Sequence, residues 1–243
     1  MPRIYVPISH IIDNRISITD EKAHYLISVL RCRKGDDLIV FDGKGNCLKT
    51  RILKADRREV ITEVIEKFPC DTESHINITL VQGLLKGEKM DLVIQKTTEL
   101  GVKEIIPVVT ERSQMRETRK VTRWRKIAEE ASRQSGRSII PVIHDPIKFF
   151  DILNLLRPSN KVNGLLFYEE GGMKLSEAVS SFVPRPSSLF IFVGPEGGFT
   201  KEEVFLAKEK GLLVTSLGER ILRAETAAIS AVALVQFLLG DMG

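Results

Sequence analysis

The chain has 243 residues, 43% apolar and 28% charged, with a formal net charge of +4. That is enough for one large domain or two modest ones, each with an ample core. No apolar run approaches the ~20 residues of a membrane span, and the N-terminus carries no hydrophobic signal segment, so a cytoplasmic protein without membrane attachment is expected. Cys32, Cys47 and Cys70 are widely spaced, without a Cys-x-x-Cys pair, and the histidines are scattered. Free thiols and no metal site are the expectation.

Along residues 1–70 the pattern is of short strands, at 38–41, 48–53 and 60–64, with one helix over 21–30. The Asp42-Gly43-Lys44-Gly45-Asn46 stretch has the residues that hairpin turns favour. A small β-barrel domain over 1–70 follows, with a polar linker over 67–74 containing Pro69. From Ile76 the pattern changes. Strands at 76–81, 105–109, 165–168, 189–193 and 212–216 alternate with helices at 89–100, 122–135, 175–182 and 201–210. Such alternation predicts a second, α/β domain over 71–243, a mostly parallel sheet with helices on both faces. The final helix, 224–239, has hardly any polar face and is expected to be buried on nearly every side.

Charge is uneven. Between Arg112 and Arg137 there are nine Lys/Arg against three Glu. On the helix through this segment Trp124, Ile127, Ala128 and Ala131 fall at i, i+3, i+4, i+7 and mark the core-facing stripe, leaving the bases mostly elsewhere. With a second basic cluster at Arg31, Arg33 and Lys34, the excess favours a phosphate-binding surface over a merely solvated helix.

Two glycine loops carry the chemistry. The apolar strand ending at Val193 runs into Gly194-Pro195-Glu196-Gly197-Gly198, where glycine permits positive φ and close approach to a ligand. The next helix opens on a capping box, Thr200 with Glu203. About twenty residues on, a strand turns at Gly218 into the last helix. Glycine loops at the carboxyl ends of strands are where α/β proteins hold small molecules.

GPEGGFT (194–200) with SLGERILRAETAA (216–228) closely resembles the C-terminal signature of the bacterial methyltransferases that modify uridine at ring nitrogen 3 in 16S ribosomal RNA. That family belongs to the SPOUT superfamily of trefoil-knotted methyltransferases. HYLISVLR (24–31) with Lys34-Gly35-Asp36 is similar to the opening of that family's small RNA-binding domain. KTTELGVKEIIPVVTERS (96–113) and WRKIAEEASRQSGRSIIP (124–141) fit it in the expected order.

The resemblance implies a PUA-like N-terminal barrel, a C-terminal trefoil knot and S-adenosyl-L-methionine as cofactor. It places the cofactor on Gly194, Pro195, Glu196, Gly197, Gly198, Leu217, Gly218, Ile221 and Leu222. A third loop, Glu169-Glu170-Gly171, closes the site and brings in Tyr168 and Glu169. Uridine N3 is a poor nucleophile until its proton leaves, so a group must accept that proton or stabilise the anion. Arg223 is expected to stabilise the anionic uracil and Glu225 to orient it or relay the proton; capping or bridging within the last helix is the alternative. Arg3, Arg31, Arg33, Arg112, Arg116, Arg133 and Arg137 are the expected contacts to 16S RNA in the small ribosomal subunit. A symmetric homodimer is expected, one subunit's barrel presenting RNA to the other's pocket.

Three other readings compete. A knotted methyltransferase acting on another RNA base or ribose shares the same pocket. A non-catalytic RNA-binding or assembly protein would need only the basic patches. A nucleotide hydrolase would need the lysine and hydroxyl of a phosphate loop, which the GPEGG segment lacks. The Phe41–Asn46 loop resembles the acidic glycine loop of Rossmann-type methyltransferases, but a strand follows it where a helix should.

Overall fold

The computed structural model describes residues 1–7, 11–12, 14–70, 72–156 and 163–243; Asp71, within the expected linker, lies outside them. The chain divides into two compact units, Met1–Glu73 with Ser132–Ile140, and Ser74–Ala131 with Pro141–Gly243.

The first unit is a six-stranded sheet built from β1 (Arg3–Tyr5), β2 (Ile11–Ile12), β3 (Arg15–Thr19), β4 (Asp37–Phe41), β5 (Asn46–Ala55) and β6 (Glu59–Pro69), in the order β1-β4-β5-β6-β3-β2. All its pairs are antiparallel except β1 with β4. Register shifts at Lys49/Thr50 and Ile52/Lys54 curl the two long strands. Between β3 and β4 the predicted helix divides into α1 (Asp20–His24) and a π-helical turn, Tyr25–Val29. Ile16, Ile18, Leu26, Leu38, Val40, Ile52 and Val60 form its core. Asp42 closes the predicted hairpin by accepting from the Lys44 and Asn46 amides at 2.8 and 3.1 Å and from Asn46 Nδ2 at 2.6 Å.

Three expectations are corrected in this unit. The first three residues of the expected linker belong to β6, because Cys47 pairs with Phe68 and Asn46 with Pro69. That register brings Cys70 against Cys47, and the two form a disulfide rather than free thiols; Cys32 alone is free and buried. Arg137 is only 2% exposed and its guanidinium is paired with Glu73 at 2.7 Å. Glu73 also accepts from the Ser138 and Ile139 amides. A buried guanidinium paired with Glu73 presents no face to a phosphate, so Arg137 is a structural residue of this unit.

The second unit contains β7 (Asn77–Gly83), α2 (Lys89–Glu99), β8 (Glu104–Val109), most of α3 (Val121–Ser135), β9 (Val142–Ile143), β10 (Ile147–Lys148), α4 (Phe149–Leu155), β11 (Gly164–Phe167), β12 (Met173–Lys174), α5 (Leu175–Ser180), β13 (Ser188–Val193), α6 (Lys201–Glu209), β14 (Leu213–Ser216) and α7 (Ala224–Leu239). Every pair in its sheet is parallel, in the order β10-β8-β7-β13-β11-β14-β12, with β9 on β8. Phe149, Ile152 and Leu153 of α4 and Val204 and Ala207 of α6 pack on Val81, Leu166, Phe192 and Val214 of the strands. The chain returns through α7, which packs on β7, β13, α2 and α5. Its buried Gln236 accepts from Ser74 Oγ and donates to Leu100 O, both at 2.8 Å. This is the α/β fold class expected. In the single chain Leu234 and Phe237 of the last helix are exposed.

Candidate active site

The carboxyl ends of β11, β13 and β14 point the same way because the strands are parallel, and the loops leaving them surround one cavity of about 380 Å³. That volume suits a small-molecule cofactor. Tyr168 and Glu169 line it from the first loop; Gly194, Pro195, Glu196 and Gly198 from the second; Leu217, Gly218, Ile221 and Leu222 from the third. Arg223 and Glu225, at the start of α7, also line it. Gly197 does not: it lies against Arg112, whose Cβ stands 3.0 Å from where a Cβ on Gly197 would be.

The second loop is held from several sides. Gln82 Nε2, fully buried at the end of β7, donates to Gly194 O at 3.2 Å. Gly83 is a close crossing, since a Cβ there would stand 2.5 Å from Pro195 Cδ and 2.8 Å from the Gly194 carbonyl carbon. Gly198 takes a φ of +69° and closes the turn by donating to Pro195 O at 2.9 Å; a side chain on it would collide with the Glu169 carboxylate. Arg112 Nη1 donates to Gly197 O and Phe199 O at 3.2 and 3.3 Å. The predicted capping box is present, with Glu203 N on Thr200 Oγ1 at 3.2 Å and Thr200 N on Glu203 Oε2 at 2.9 Å. Fully buried Glu203 also accepts from Glu111 N at 2.8 Å through Oε1, which fastens the β8 loop to this turn.

The pocket's electrostatics are mixed. Glu169, Glu196 and Glu225 face Lys89, Arg220 and Arg223 around one cavity. Burial alone would raise the Glu196 carboxyl. Hydrogen bonds from its own amide, from Lys86 N and from Lys89 outweigh that and hold it below the usual carboxylate range. Burial, then the Glu170 and Glu169 carboxylates, push the Tyr168 phenol up. One buried oxygen each of Glu196 and Glu225, both pocket residues, has no hydrogen-bond partner among the described residues. An orphaned buried carboxylate oxygen is costly, and a cationic ligand or a donor entering the pocket would satisfy it. Arg223 sits at the N-cap of α7 with an exposed side chain that makes no cap, which removes the capping alternative for it. Glu225 lies in the first turn, where the helix dipole favours a carboxylate.

Of the expected RNA contacts, Arg31 and Arg33 are exposed on the segment after the π-helical turn, Arg31 with a φ of +57°. Arg3 is half-buried and donates to Arg137 O at 3.2 Å, and Arg133 lies over the Tyr25 ring at 4.6 Å. In the second unit Arg116 is exposed but donates to Thr110 O and Glu111 O. The basic helix is partly neutralised, Arg123 by Asp91 at 2.7 Å and Arg125 by Asp145 at 3.3 Å. Sequence reasoning missed Gln82, Gly83 and Lys89. Their partners in the glycine loop lie more than a hundred residues away, and no spacing signal connects them.

The fold and site are those of an α/β protein that holds a small molecule in loops at the carboxyl ends of its strands. Residues 72–236 match the RNA methyltransferase domain and residues 18–65 the RNA methyltransferase PUA domain. The chain is 35% identical to the ribosomal RNA small subunit methyltransferase E of Bacillus subtilis, over 91% of its own length and 89% of that protein. It superposes on the ribosomal RNA small subunit methyltransferase E of Neisseria gonorrhoeae, solved bound to S-adenosyl methionine, with a TM-score of 0.90, 34% identity and all of both chains covered. A Legionella pneumophila methyltransferase solved with its bound cofactor gives 0.87 and 31% over 98% of both chains. The chain belongs to the ribosomal RNA small subunit methyltransferase E family.

Proposed function

We propose that this protein methylates ring nitrogen 3 of one uridine in 16S RNA of the small ribosomal subunit, with S-adenosylmethionine as methyl donor. The observation that carries the reading is the cavity that gathers three carboxylates and three cations beside a glycine loop packed tightly against Gly83 of β7. When bound, the donor supplies an electrophilic methyl carbon on a cationic sulfonium, whose C–S electron pair stays with sulfur as the N–C bond forms.

The residues of the chain divide the remaining work. Gly194, Pro195 and Gly198 bring backbone close to the cofactor, and Leu217, Ile221 and Leu222 supply apolar walls. The carboxylates favour its positive charge. Ile221 lines the cavity although 84% exposed. Glu225 takes the N3 proton, and Arg223 stabilises the uracil anion left behind. Holding the base against the methyl carbon supplies most of the rate, so the base must be unstacked from its RNA. Arg31, Arg33, Arg116 and Arg133 contact phosphates, while Arg3 braces the backbone at Arg137 O and Arg112 the glycine loop at Gly197 O and Phe199 O. The open face of α7 around Leu234 and Phe237 pairs with a second copy across a two-fold axis.

The test is labelled S-adenosylmethionine with small subunits from a strain lacking the gene, followed by reverse transcription. A methyl on N3 blocks pairing, so label with a stop one nucleotide before a single uridine is expected. Label without a stop would move the target to a ribose or a non-pairing edge. Cofactor binding without label would move it to another RNA or assembly state.

A further inference from the structure

We infer that Lys89 is a further catalytic residue, the ammonium that neutralises a carbonyl oxygen of the uracil anion, and that Glu196 is its positioning residue. The inference rests on the uridine-N3 reading and deepens it.

Lys89 is the first residue of α2 and lines the cofactor cavity. The positive end of the helix dipole makes the first turn an unfavourable place for a cation. A lysine whose only task was to stabilise the helix would sit at the other end. Glu196, from the glycine loop, compensates: its Oε1 accepts from Lys89 Nζ and from Lys86 N, both at 3.1 Å. The carboxylate is therefore held at the mouth of α2 by a backbone amide as well as by the ammonium. Its Oε2 is buried with no hydrogen-bond partner among the described residues. The ammonium has three donors, and Glu196 Oε1 takes one. The lysine remains 39% exposed at its side chain, so the pairing leaves it reachable.

Uracil losing its N3 proton spreads charge onto the two carbonyl oxygens beside N3. The bond that breaks is N3–H; its proton passes to Glu225, and the electron pair stays on the ring. Arg223 lies on the α7 side of the cavity and Lys89 comes from α2, so two cations from different elements are available to the two oxygens. An ammonium already fixed by Glu196 needs little reorganisation when that charge develops, which is the condition under which such donors accelerate reactions most.

The experiment is single-turnover methylation of small subunits at saturating donor across a range of pH, for wild type, Lys89→Met and Lys89→Arg, with donor affinity measured by calorimetry. Lys89→Met is expected to slow the reaction about 10²-fold at neutral pH. Its rate should go on rising with pH where wild type has levelled, because hydroxide then removes the proton the cation no longer helps to release. Lys89→Arg should recover part of the rate, and the shift in pH profile should remain at donor concentrations that saturate each variant. An unaltered rate and pH profile in Lys89→Met would overturn the inference. So would a rate loss explained by weaker donor binding with the profile unmoved, since Lys89 would then only prop the Glu196 loop. Should wild type itself label RNA without a reverse-transcription stop, the uridine-N3 reading falls and takes this inference with it, a result visible before any variant is made.

Discussion

Alanine at Gly83 should push the cofactor loop out of place. The added Cβ would stand 2.5 Å from Pro195 Cδ and 2.8 Å from the Gly194 carbonyl carbon, and closer still to Pro195 N. These are backbone and ring atoms that cannot rotate away, so β7 and the loop must separate by about half an ångström or more, at an overpacking cost of roughly 1–3 kcal/mol. The same movement stretches the 3.2 Å bond from Gln82 Nε2 to Gly194 O beyond hydrogen-bonding range. A buried carbonyl left unpaired adds about 1–3 kcal/mol. A loss of about 2–6 kcal/mol overall corresponds to a fall in Tm of roughly 5–20 °C for a chain of this size. Donor affinity should drop about 10–100-fold, as one to three kcal/mol of loop displacement is felt directly by the ligand. Calorimetric titration with S-adenosylmethionine and a thermal melt measure both quantities. Gly87→Ala is the control: Gly87 has a φ of +64° but nothing within 4 Å of its Cβ position, so it should lose only about 1 kcal/mol of backbone strain and keep its affinity. Wild-type affinity and Tm in Gly83→Ala would refute the close crossing and the argument built on it.

Glu203→Ala removes the acceptor of the Thr200 and Glu111 amides from a fully buried position and should cost about 2–4 kcal/mol, read as a lower denaturant midpoint. Arg137→Met strands Glu73 in a site where the arginine is 3% and the glutamate 12% exposed at the side chain. A loss of about 3–5 kcal/mol is expected, against nearly none if Arg137 were a surface RNA contact. Glu196 has its folded-state carboxyl held below the unfolded value, so its stabilising contribution is complete above the unfolded value and is lost as pH falls through the depressed one. The Tm difference between wild type and Glu196→Gln should therefore be present at neutral pH and close in acid; a gap that widened in acid would reverse the sign of the argument.

Local signals made most of the second unit legible. Strands such as Ser188–Val193 are continuous apolar runs because both faces are covered, and the Thr200–Glu203 box marks its helix start through a bond only three residues long. The glycine loops were readable for the same reason, since positive φ at Gly198 and Gly218 is a property of those residues alone. Short strands were not legible. Met173–Lys174 and Ile147–Lys148 are two residues each, too brief for a period, and exist only because a neighbouring strand pairs with them. The charge run misled at Arg137. Its partner Glu73 lies 64 residues away, and composition cannot tell a solvated cation from one buried against a distant carboxylate. The Cys47–Cys70 pair was hidden likewise, since only the β5–β6 register brings residues 23 apart together.

Glu196 marks where reading by position stops and reading by geometry begins. Its place in the GPEGG segment assigns it to the cofactor wall, and it does line the cavity. Position cannot reveal that its two oxygens face different tasks. One is spent on Lys86 and Lys89, 110 and 107 residues away; the other is buried with no hydrogen-bond partner among the described residues. A carboxylate with both oxygens toward the ligand would serve charge alone. One divided in this way also fixes the distance between the glycine loop and the start of α2, so that the cation at Lys89 and the loop move together. Substituting glutamine at Glu196 keeps an oxygen for the Lys86 amide but removes the charge that holds the ammonium. Its methylation rate should therefore fall with that of Lys89→Met, and the two substitutions combined should cost less than the sum of their separate effects. Additive losses would mean that Glu196 and Lys89 act independently, and the coupling of loop to helix would have to be abandoned.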